Sequence, residues 1–257
     1  MNIFVNGCSF SHGHTDFGEN HSAPSWVWPS LLHNRGYGNV INLAHIGSSN
    51  ARIFRTSMEY LLTVDNPNDW LVLIQTSAWN RTEFYSDKHK KWVGTLSAGQ
   101  FVVYDWSWHE HGTPAKDEFD LERKIITQHS AIIKDKISLM LENMYQIAFF
   151  KNFCESRGFK NVYFLPMASN CSLEMHLNPS QELQNFPSHS AGVIDYPKLN
   201  HLQKLWTILG IEDNYLTPIS HIVRGLEEPN DGHPNIQGHA EYFKYIINTL
   251  NLRKINE

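Results

Sequence analysis

Short apolar runs alternate with segments of helical periodicity along much of this chain. The runs are rich in β-branched and aromatic residues and are bounded by turn residues, which predicts buried strands at 3–5, 40–43, 70–74 and 162–165. Apolar residues recur at helical spacing between these runs, most clearly over 125–157. Because strands that alternate with helices favour right-handed βαβ crossovers, we predict a three-layer αβα sandwich around a parallel sheet of about five strands.

Two stretches interrupt this alternation. Residues 80–120 are rich in aromatic side chains with turn residues between them, which predicts a hairpin or lid inserted after the third strand. The alternative is that these aromatic side chains only form a small satellite core. Residues 169–197 are polar and punctuated by proline, which indicates a long loop. A chain of 257 residues can bury one large core, so we predict a single α/β domain over 1–257 that contains the insertion.

Charge, hydropathy and cysteine content exclude several classes of partner. The net charge of −5 and the one short cationic run at 88–91 argue against nucleic acid binding. No apolar run approaches the ~20 residues of a membrane span, and the start of the chain has the pattern of a strand rather than of a signal peptide. The cysteines, Cys8, Cys154 and Cys171, lack the paired spacing of a disulfide framework. We therefore expect a protein made in the cytoplasm, with no cofactor; assembly into a virus particle would leave no trace in the sequence.

Two short segments, one near each end of the chain, carry the residue types of a nucleophilic site. Residues 6–11 read Asn-Gly-Cys-Ser-Phe-Ser and put Ser9 where the first strand turns toward its helix. Functional groups gather beyond the carboxyl ends of the strands in open α/β sheets. Residues 231–235 read Asp-Gly-His-Pro-Asn and put a carboxylate two residues before an imidazole, at the start of a closing helix. Ser9, Asp231 and His233 are therefore candidates for a nucleophile, an acid and a base.

These two segments, together with Asn-Leu-Ala-His-Ile-Gly-Ser-Ser-Asn at 42–50, resemble the SGNH (GDSL-like) hydrolases, including uncharacterised SGNH-like proteins of bacteriophages. The resemblance implies a flavodoxin-like form of the predicted sandwich and a hydrolase with a serine nucleophile. It implies that Ser9, Asp231 and His233 are catalytic. It also implies an oxyanion hole formed by Ser9, by Gly47 and by the side-chain amide of Asn80.

Three departures from the pattern of that family leave alternatives open. Cys8 stands where the family has aspartate, so a cysteine nucleophile is a competing interpretation. The third strand runs into Gln-Thr-Ser-Ala-Trp-Asn in place of Gly-x-Asn-Asp, so Asn80 is either a displaced oxyanion donor or a turn residue. In the second case Gln75, Thr76 or Ser77 becomes the candidate donor. Finally, a single glycine separates the acid from the histidine, where the family has two residues.

Numerous histidines raise the alternative of a metal site. They crowd the loop after Ser9, and they recur in the insertion; the residues concerned are His12, His14, Asp16, His21, His109, Glu110 and His111. Alternating histidines in loops can bind zinc, but these lack a matched second pair at a standard zinc-site spacing. We therefore predict no metal.

Two further residues have both a structural and a functional interpretation. Arg81 follows the third strand at the edge of the sheet where substrates bind, so it is a candidate substrate-binding residue that would contact a carboxylate, a sulfate or a sugar hydroxyl. The alternative is a salt-bridged structural arginine. His239 is expected to pack on the last helix, with a backup catalytic role as its alternative.

The leading functional hypothesis is a serine esterase that removes an acyl group, most simply an O-acetyl group, from a carbohydrate. Aromatic side chains and polar loops near the rim of a site suit stacking on sugar rings, and the resemblance extends to enzymes that deacetylate polysaccharides. One alternative is a non-catalytic carbohydrate-binding or virion structural protein on the same scaffold. Another is an O-acyltransferase that uses the same triad.

Overall fold

The computed structural model describes residues 1–13, 23–79, 81–88, 90–97, 100–104, 111–112, 136–167, 204–226 and 233–255. The strands are β1 (Asn2–Asn6), β2 (Asn39–Asn42), β3 (Trp70–Thr76), β4 (Glu83–Ser86), β5 (Lys91–Ser97), β6 (Gln100–Tyr104), β7 (His111–Gly112) and β8 (Asn161–Pro166). The helices are α1 (Ser9–His12), α2 (Trp28–Asn34), α3 (Asn50–Leu61), α4 (Lys136–Arg157), α5 (204–208), α6 (Ile219–Ile222) and α7 (Ile236–Thr249). Two 3₁₀ turns lie at Pro67–Asp69 and Glu212–Asn214.

The main sheet is parallel and has the strand order β2-β1-β3-β8. A single parallel bridge between Phe164 and Tyr215 extends it beyond β8, at the position where a fifth strand would lie. With that bridge, the order along the sheet is the flavodoxin-like 2-1-3-4-5. The predicted parallel α/β sandwich is thus confirmed; among the described residues its sheet has four full strands and one bridge, where about five strands were predicted.

Alternate side chains of the central strands bury into two separate hydrophobic cores, one on each face of the sheet. On one face, Val72 and Ile74 of β3 pack with α3 and α4. On the other face, Leu71 and Leu73 pack with α2 and α7. A strand that is covered on both faces needs a continuous apolar run, which is the pattern that β3 and β1 show.

The insertion after β3 is an antiparallel sheet with the order β4-β5-β6-β7. The prediction of a hairpin there underestimated its strand content. Arg55 of α3 links the insertion to that helix: its Nε lies 2.9 Å from Oε1 of Glu83, and its guanidinium stacks 3.9 Å above the Trp92 ring. Burial raises the pKa of Glu83, and the Arg55 partner opposes that rise. This insertion therefore has an ordered, charge-paired contact with α3.

Several predicted boundaries differ from those in the structure or fall outside the described residues. The helix predicted from residue 125 is described from Lys136 to Arg157, and 125–135 lie outside the described residues. The predicted long loop at 169–197 also lies outside them. Within the described part of the chain, no helix combines the length and apolar character needed to cross a membrane.

Candidate active site

Ser9 and His233 come together at the carboxyl end of the parallel sheet. The distance from Ser9 Oγ to His233 Nε2 is 2.7 Å, a hydrogen bond between residues that are 224 positions apart in the chain. Ser9 is the first residue of α1, directly after the turn that leaves β1. It is only 4% exposed. The hydroxyl of this candidate nucleophile is therefore hydrogen-bonded to an imidazole and shielded from bulk water.

The segment that carries His233 is fixed by backbone contacts and by one aromatic ring. The His233 ring packs on Phe10 of α1 with 5.1 Å between ring centroids. Two residues later, the Asn235 N–H donates to the carbonyl of Leu226 at 2.8 Å. The Asn235 side chain then caps α7 by accepting the N–H of Gly238 at 2.9 Å. His233 therefore lies shortly before a helix whose start is fixed by these contacts.

The turn before Ser9 is held by a buried side-chain amide, that of Asn6. Its Oδ1 accepts the N–H of Gly7 at 2.8 Å. Its Nδ2 lies within hydrogen-bond distance of three acceptors on α3: the Ile53 carbonyl at 3.1 Å, Thr56 Oγ1 at 2.8 Å and Ser57 Oγ at 2.9 Å. One fully buried side chain therefore connects β1, the nucleophile turn and α3.

The loop that follows β2 runs beside the nucleophile turn. The N–H of Leu43 donates to Val5, and the N–H of His45 donates to Gly7 at 3.1 Å, so the pairing of β1 and β2 continues into the loop. Gly47 follows with φ of 77°, a left-handed conformation in which a side chain would be strained. This geometry brings Gly47 to the same edge of the sheet as Ser9.

Arg81 joins the loop after β2 to the loop after β3. Its Nη1 donates to Ser77 Oγ at 2.9 Å and to the carbonyl of Ser48 at 3.4 Å. The N–H of Ser77 donates to Oδ1 of Asn50, the first residue of α3. Arg81 is therefore a hydrogen-bonded, partly buried side chain at the predicted edge of the sheet.

Cys8, the competing nucleophile, is oriented differently from Ser9. It is fully buried. Its Sγ lies 3.2 Å from Nε2 of Gln75 and 3.4 Å from the sulfur of Met167. The thiol is therefore surrounded by interior groups, whereas Ser9 Oγ lies within hydrogen-bond distance of His233.

His239 is a buried histidine one turn into α7. It is 1% exposed, and its Nδ1 lies 3.5 Å from the backbone N–H of Trp28. Burial, with a further contribution from the charge of His233, lowers the pKa of His239 to about 4. His239 is therefore neutral at pH 7, as expected for a histidine that packs in the core.

Some predicted site residues lie outside the described residues. These are the acid Asp231, the amide donor Asn80, and the histidine-loop residues His14, Asp16, His21, His109 and Glu110. His12 is described, and its ring lies 6.3 Å from that of His45. Across the described residues there is no group of three or more histidine, cysteine or acidic side chains arranged to hold a metal ion.

The contacts of Gln75 were not expected from the sequence, which offered this residue only as a candidate oxyanion donor. Both of its donor contacts are internal, to the Thr76 carbonyl at 2.8 Å and to the sulfur of Cys8. Ser77 uses its N–H on Asn50. Thr76 Oγ1 is buried with no hydrogen-bond partner among the described residues. A polar residue near the end of an apolar strand, beside a glycine that follows the neighbouring strand, is the signal that could have identified Gln75.

Sequence comparison identifies the family. A model described as "Family of unknown function (DUF6071)" matches residues 9–180, which include Ser9 and the whole insertion. The chain belongs to the DUF6071 family. A comparison with curated proteins found no match.

Solved structures similar to this DUF6071 protein include three described as lipolytic proteins or esterases. A member of the lipolytic protein G-D-S-L family from Veillonella parvula has a TM-score of 0.47 at 8% identity, over 97% of both chains. The psychrotrophic esterase EstA from Pseudoalteromonas sp. has a TM-score of 0.46 at 12% identity, over 97% of this chain and 98% of that one. The acetyl xylan esterase Est2A from Butyrivibrio proteoclasticus has a TM-score of 0.45 at 10% identity, over 97% and 64%.

Proposed function

We propose that this DUF6071 protein is a serine esterase of the SGNH type, with Ser9 as nucleophile and His233 as general base. The observation that carries the proposal is the 2.7 Å hydrogen bond between Ser9 Oγ and His233 Nε2. A serine hydroxyl is a weak nucleophile until an adjacent base removes its proton. For Ser9 Oγ to donate its proton to Nε2, the reactive tautomer of His233 must carry its own ring proton on Nδ1.

The reaction proceeds in two half-reactions. His233 takes the proton of Ser9 as its oxygen attacks the acyl carbonyl, and then returns that proton to the departing alcohol. The acyl group stays on Ser9 until a water molecule, deprotonated by His233, attacks it and releases it as a carboxylic acid; His233 then returns the proton to Ser9 Oγ. Asp231 is proposed as the carboxylate that accepts a hydrogen bond from the Nδ1–H of His233 and stabilises the imidazolium.

The negative charge on the tetrahedral intermediate requires hydrogen-bond donors. We assign these to the N–H groups of Ser9 and Gly47 and to the side-chain amide of Asn80. Ser9 supports this assignment because the first N–H of a helix has no acceptor within the helix. Losing one donor of an oxyanion hole typically lowers turnover by ~10²–10³-fold.

We propose that the substrate is an O-acetylated carbohydrate or another small ester. Two observations support a small acyl group and a sugar: the low exposure of Ser9, and the aromatic pair of Tyr85 and Trp92 in the insertion, 5.6 Å apart. Arg81, which lies at the edge of the sheet that carries Ser9, would contact a carboxylate or a sugar hydroxyl. A phage source and association with a virion remain part of this proposal.

The direct test measures hydrolysis of p-nitrophenyl acetate and release of acetate from an acetylated oligosaccharide. Ser9→Ala should abolish both activities and leave the thermal midpoint nearly unchanged. Ser156→Ala is the matched control, since Ser156 is an exposed serine near the end of α4 whose hydroxyl donates to Phe153; it should retain full activity.

A fluorophosphonate probe supplies a second measurement that needs no natural substrate. Labelling of the wild type at Ser9 would support the proposal. Activity that survives in Ser9→Ala would contradict it and direct attention to Cys8. A folded wild type that neither labels nor hydrolyses either ester would favour the non-catalytic binding protein, whereas acyl transfer to an alcohol in preference to water would favour the acyltransferase.

A further inference from the structure

We infer that Gln75 is the positioning residue of the nucleophile turn, and that it keeps the N–H of Ser9 directed toward the oxyanion by binding the N–H of Cys8. This inference rests on the proposed function, because the oxyanion belongs to that reaction. Gln75 would touch neither the substrate nor the reacting atoms, so its effect on the reaction passes through the backbone of residues 7–9.

Gln75 follows four apolar residues of β3, from Leu71 to Ile74, and it is fully buried. An amide in an apolar core is unfavourable unless it is hydrogen-bonded. The hydrogen bonds of Gln75 are all made near the nucleophile turn. Oε1 accepts the N–H of Cys8 at 2.9 Å and the hydroxyl of Ser11 at 3.2 Å. Nε2 donates to the carbonyl of Thr76 and to the sulfur of Cys8.

The turn is built to admit this side chain. A Cβ atom at Gly7 would lie 2.6 Å from Gln75 Oε1 and 2.7 Å from Gln75 Cβ. Any residue other than glycine would therefore displace Gln75 from the turn. The parallel register of β1 and β3 places Asn6 opposite Ile74, so the residue that follows Ile74 lies beside the turn that follows Asn6.

The acceptors of the turn follow in order along the chain. Asn6 Oδ1 takes the N–H of Gly7, and Gln75 Oε1 takes the N–H of Cys8. The next N–H belongs to Ser9, for which no hydrogen-bond acceptor is found among the described residues. Two buried amides thus bind the two preceding N–H groups and leave the third for the substrate.

This arrangement predicts how the reaction depends on Gln75. Without Oε1, the N–H of Cys8 and the hydroxyl of Ser11 would lose their acceptor inside the core, and the start of α1 would be free to rotate. A rotation that moves Ser9 Oγ by about 1 Å away from His233 is sufficient to lower turnover ~10²-fold. The substrate is bound mainly by other groups, so the Michaelis constant should change little.

The experiment compares two near-isosteric substitutions. Gln75→Met removes all four polar contacts, and Gln75→Glu keeps an oxygen for the N–H of Cys8. We expect kcat for p-nitrophenyl acetate to fall ~10²-fold in Gln75→Met with KM within about threefold, and the rate of fluorophosphonate labelling to fall in parallel. Gln75→Glu should recover at least about tenfold of the lost kcat. Turnover within about threefold of wild type in folded Gln75→Met, or equal losses in both variants, would overturn the inference.

Tyr242→Phe is the matched control for a change of polarity in the same core. The Tyr242 side chain is buried in the core cluster that contains Cys8 and Leu73, and its hydroxyl has no hydrogen-bond partner among the described residues. Its kcat should equal that of the wild type. A loss of turnover there equal to the loss in Gln75→Met would assign the effect to general disturbance of the core and overturn the inference.

A measurement that needs no activity separates this inference from the proposed function. The N–H of Cys8 should be protected from hydrogen exchange in the wild type, and exchange should accelerate at Cys8 in Gln75→Met while β8 stays protected. That result would support the positioning role of Gln75 even if the wild type hydrolysed no ester. In that case only the proposed function would fail. Equal exchange at Cys8 in the two proteins would overturn the inference, and the same measurement applies if Gln75→Met folds too weakly for kinetics.

Discussion

The two sides of the candidate site are held in different ways. Ser9 stands on a turn whose N–H groups are bound by the buried side-chain amides of Asn6 and Gln75. His233 stands on a segment held by a carbonyl of the backbone, by a helix cap and by the ring of Phe10. The nucleophile is therefore positioned from within the core, whereas the base is positioned close to the surface.

This difference matches the demands of the proposed reaction. The nucleophile and its N–H must stay fixed to within a fraction of an ångström, because they form both the new bond and part of the oxyanion hole. The imidazole must accept a proton from one oxygen and give it to another, so a more open support is compatible with its role. Substitution of equivalent residues on the two sides tests this distinction.

The largest effect is expected on the nucleophile side. Asn6→Ala removes the acceptor of the Gly7 N–H and the donor to three oxygens on α3, all in a fully buried position. The expected loss is ~4 kcal/mol in the free energy of unfolding, since several buried groups lose partners at once. Urea denaturation measures it. A loss below about 1 kcal/mol would contradict the view that buried amides hold this side.

A smaller effect, which depends on pH, is expected on the histidine side. The pKa of His239 is lowered from 6.5 to about 4, so between these values the unfolded chain binds a proton that the folded protein does not. The free energy of unfolding should therefore be at its full value above pH 6.5 and should fall as pH drops toward 4, by up to about 3 kcal/mol.

His239→Phe is the control for that pH dependence, because phenylalanine keeps an aromatic ring but cannot bind a proton. Its free energy of unfolding should fall less steeply between pH 6.5 and pH 4 than that of the wild type, even if it is lower at neutral pH. Parallel curves for the two proteins would show that His239 does not supply the pH dependence.

The part of this molecule that could be predicted from sequence is the part that local pattern determines. β1, β2, β3 and β8 were predicted within a few residues, because each contains a short apolar run between turns. The antiparallel sheet of the insertion was predicted only as a hairpin or lid, since the aromatic residues and the turn residues between them do not specify how many strands pair. Among the described residues, the predicted fifth strand corresponds only to the bridge between Tyr215 and Phe164 of β8. Such a bridge depends on packing against β8 and not on a local pattern.

The candidate site likewise contains residues that a local pattern predicts and residues that it does not. Ser9 and His233 were predicted as site residues because each belongs to a short motif, and the fold brings them together. Gln75 was considered only as a substitute oxyanion donor, because its position beside Cys8 follows from the parallel register of β1 and β3, which no local pattern specifies. The contact between Asn50 and Asn143, 93 positions apart, escaped prediction for the same reason.

The smallest effect closes the comparison of the two sides. Asn235→Ala makes the same chemical change as Asn6→Ala, but at a partly buried helix cap whose side chain accepts a single N–H, that of Gly238. Loss of such a cap costs ~1 kcal/mol, about a quarter of the loss expected at Asn6. Because the Asn235 backbone bond to Leu226 does not need the side chain, His233 should keep its place, and turnover of p-nitrophenyl acetate should fall by less than about threefold. Denaturation and steady-state kinetics on the two alanine variants check both values. Equal losses of stability at the two positions, or a larger loss of turnover at Asn235, would show that the base is held as tightly from the core as the nucleophile is.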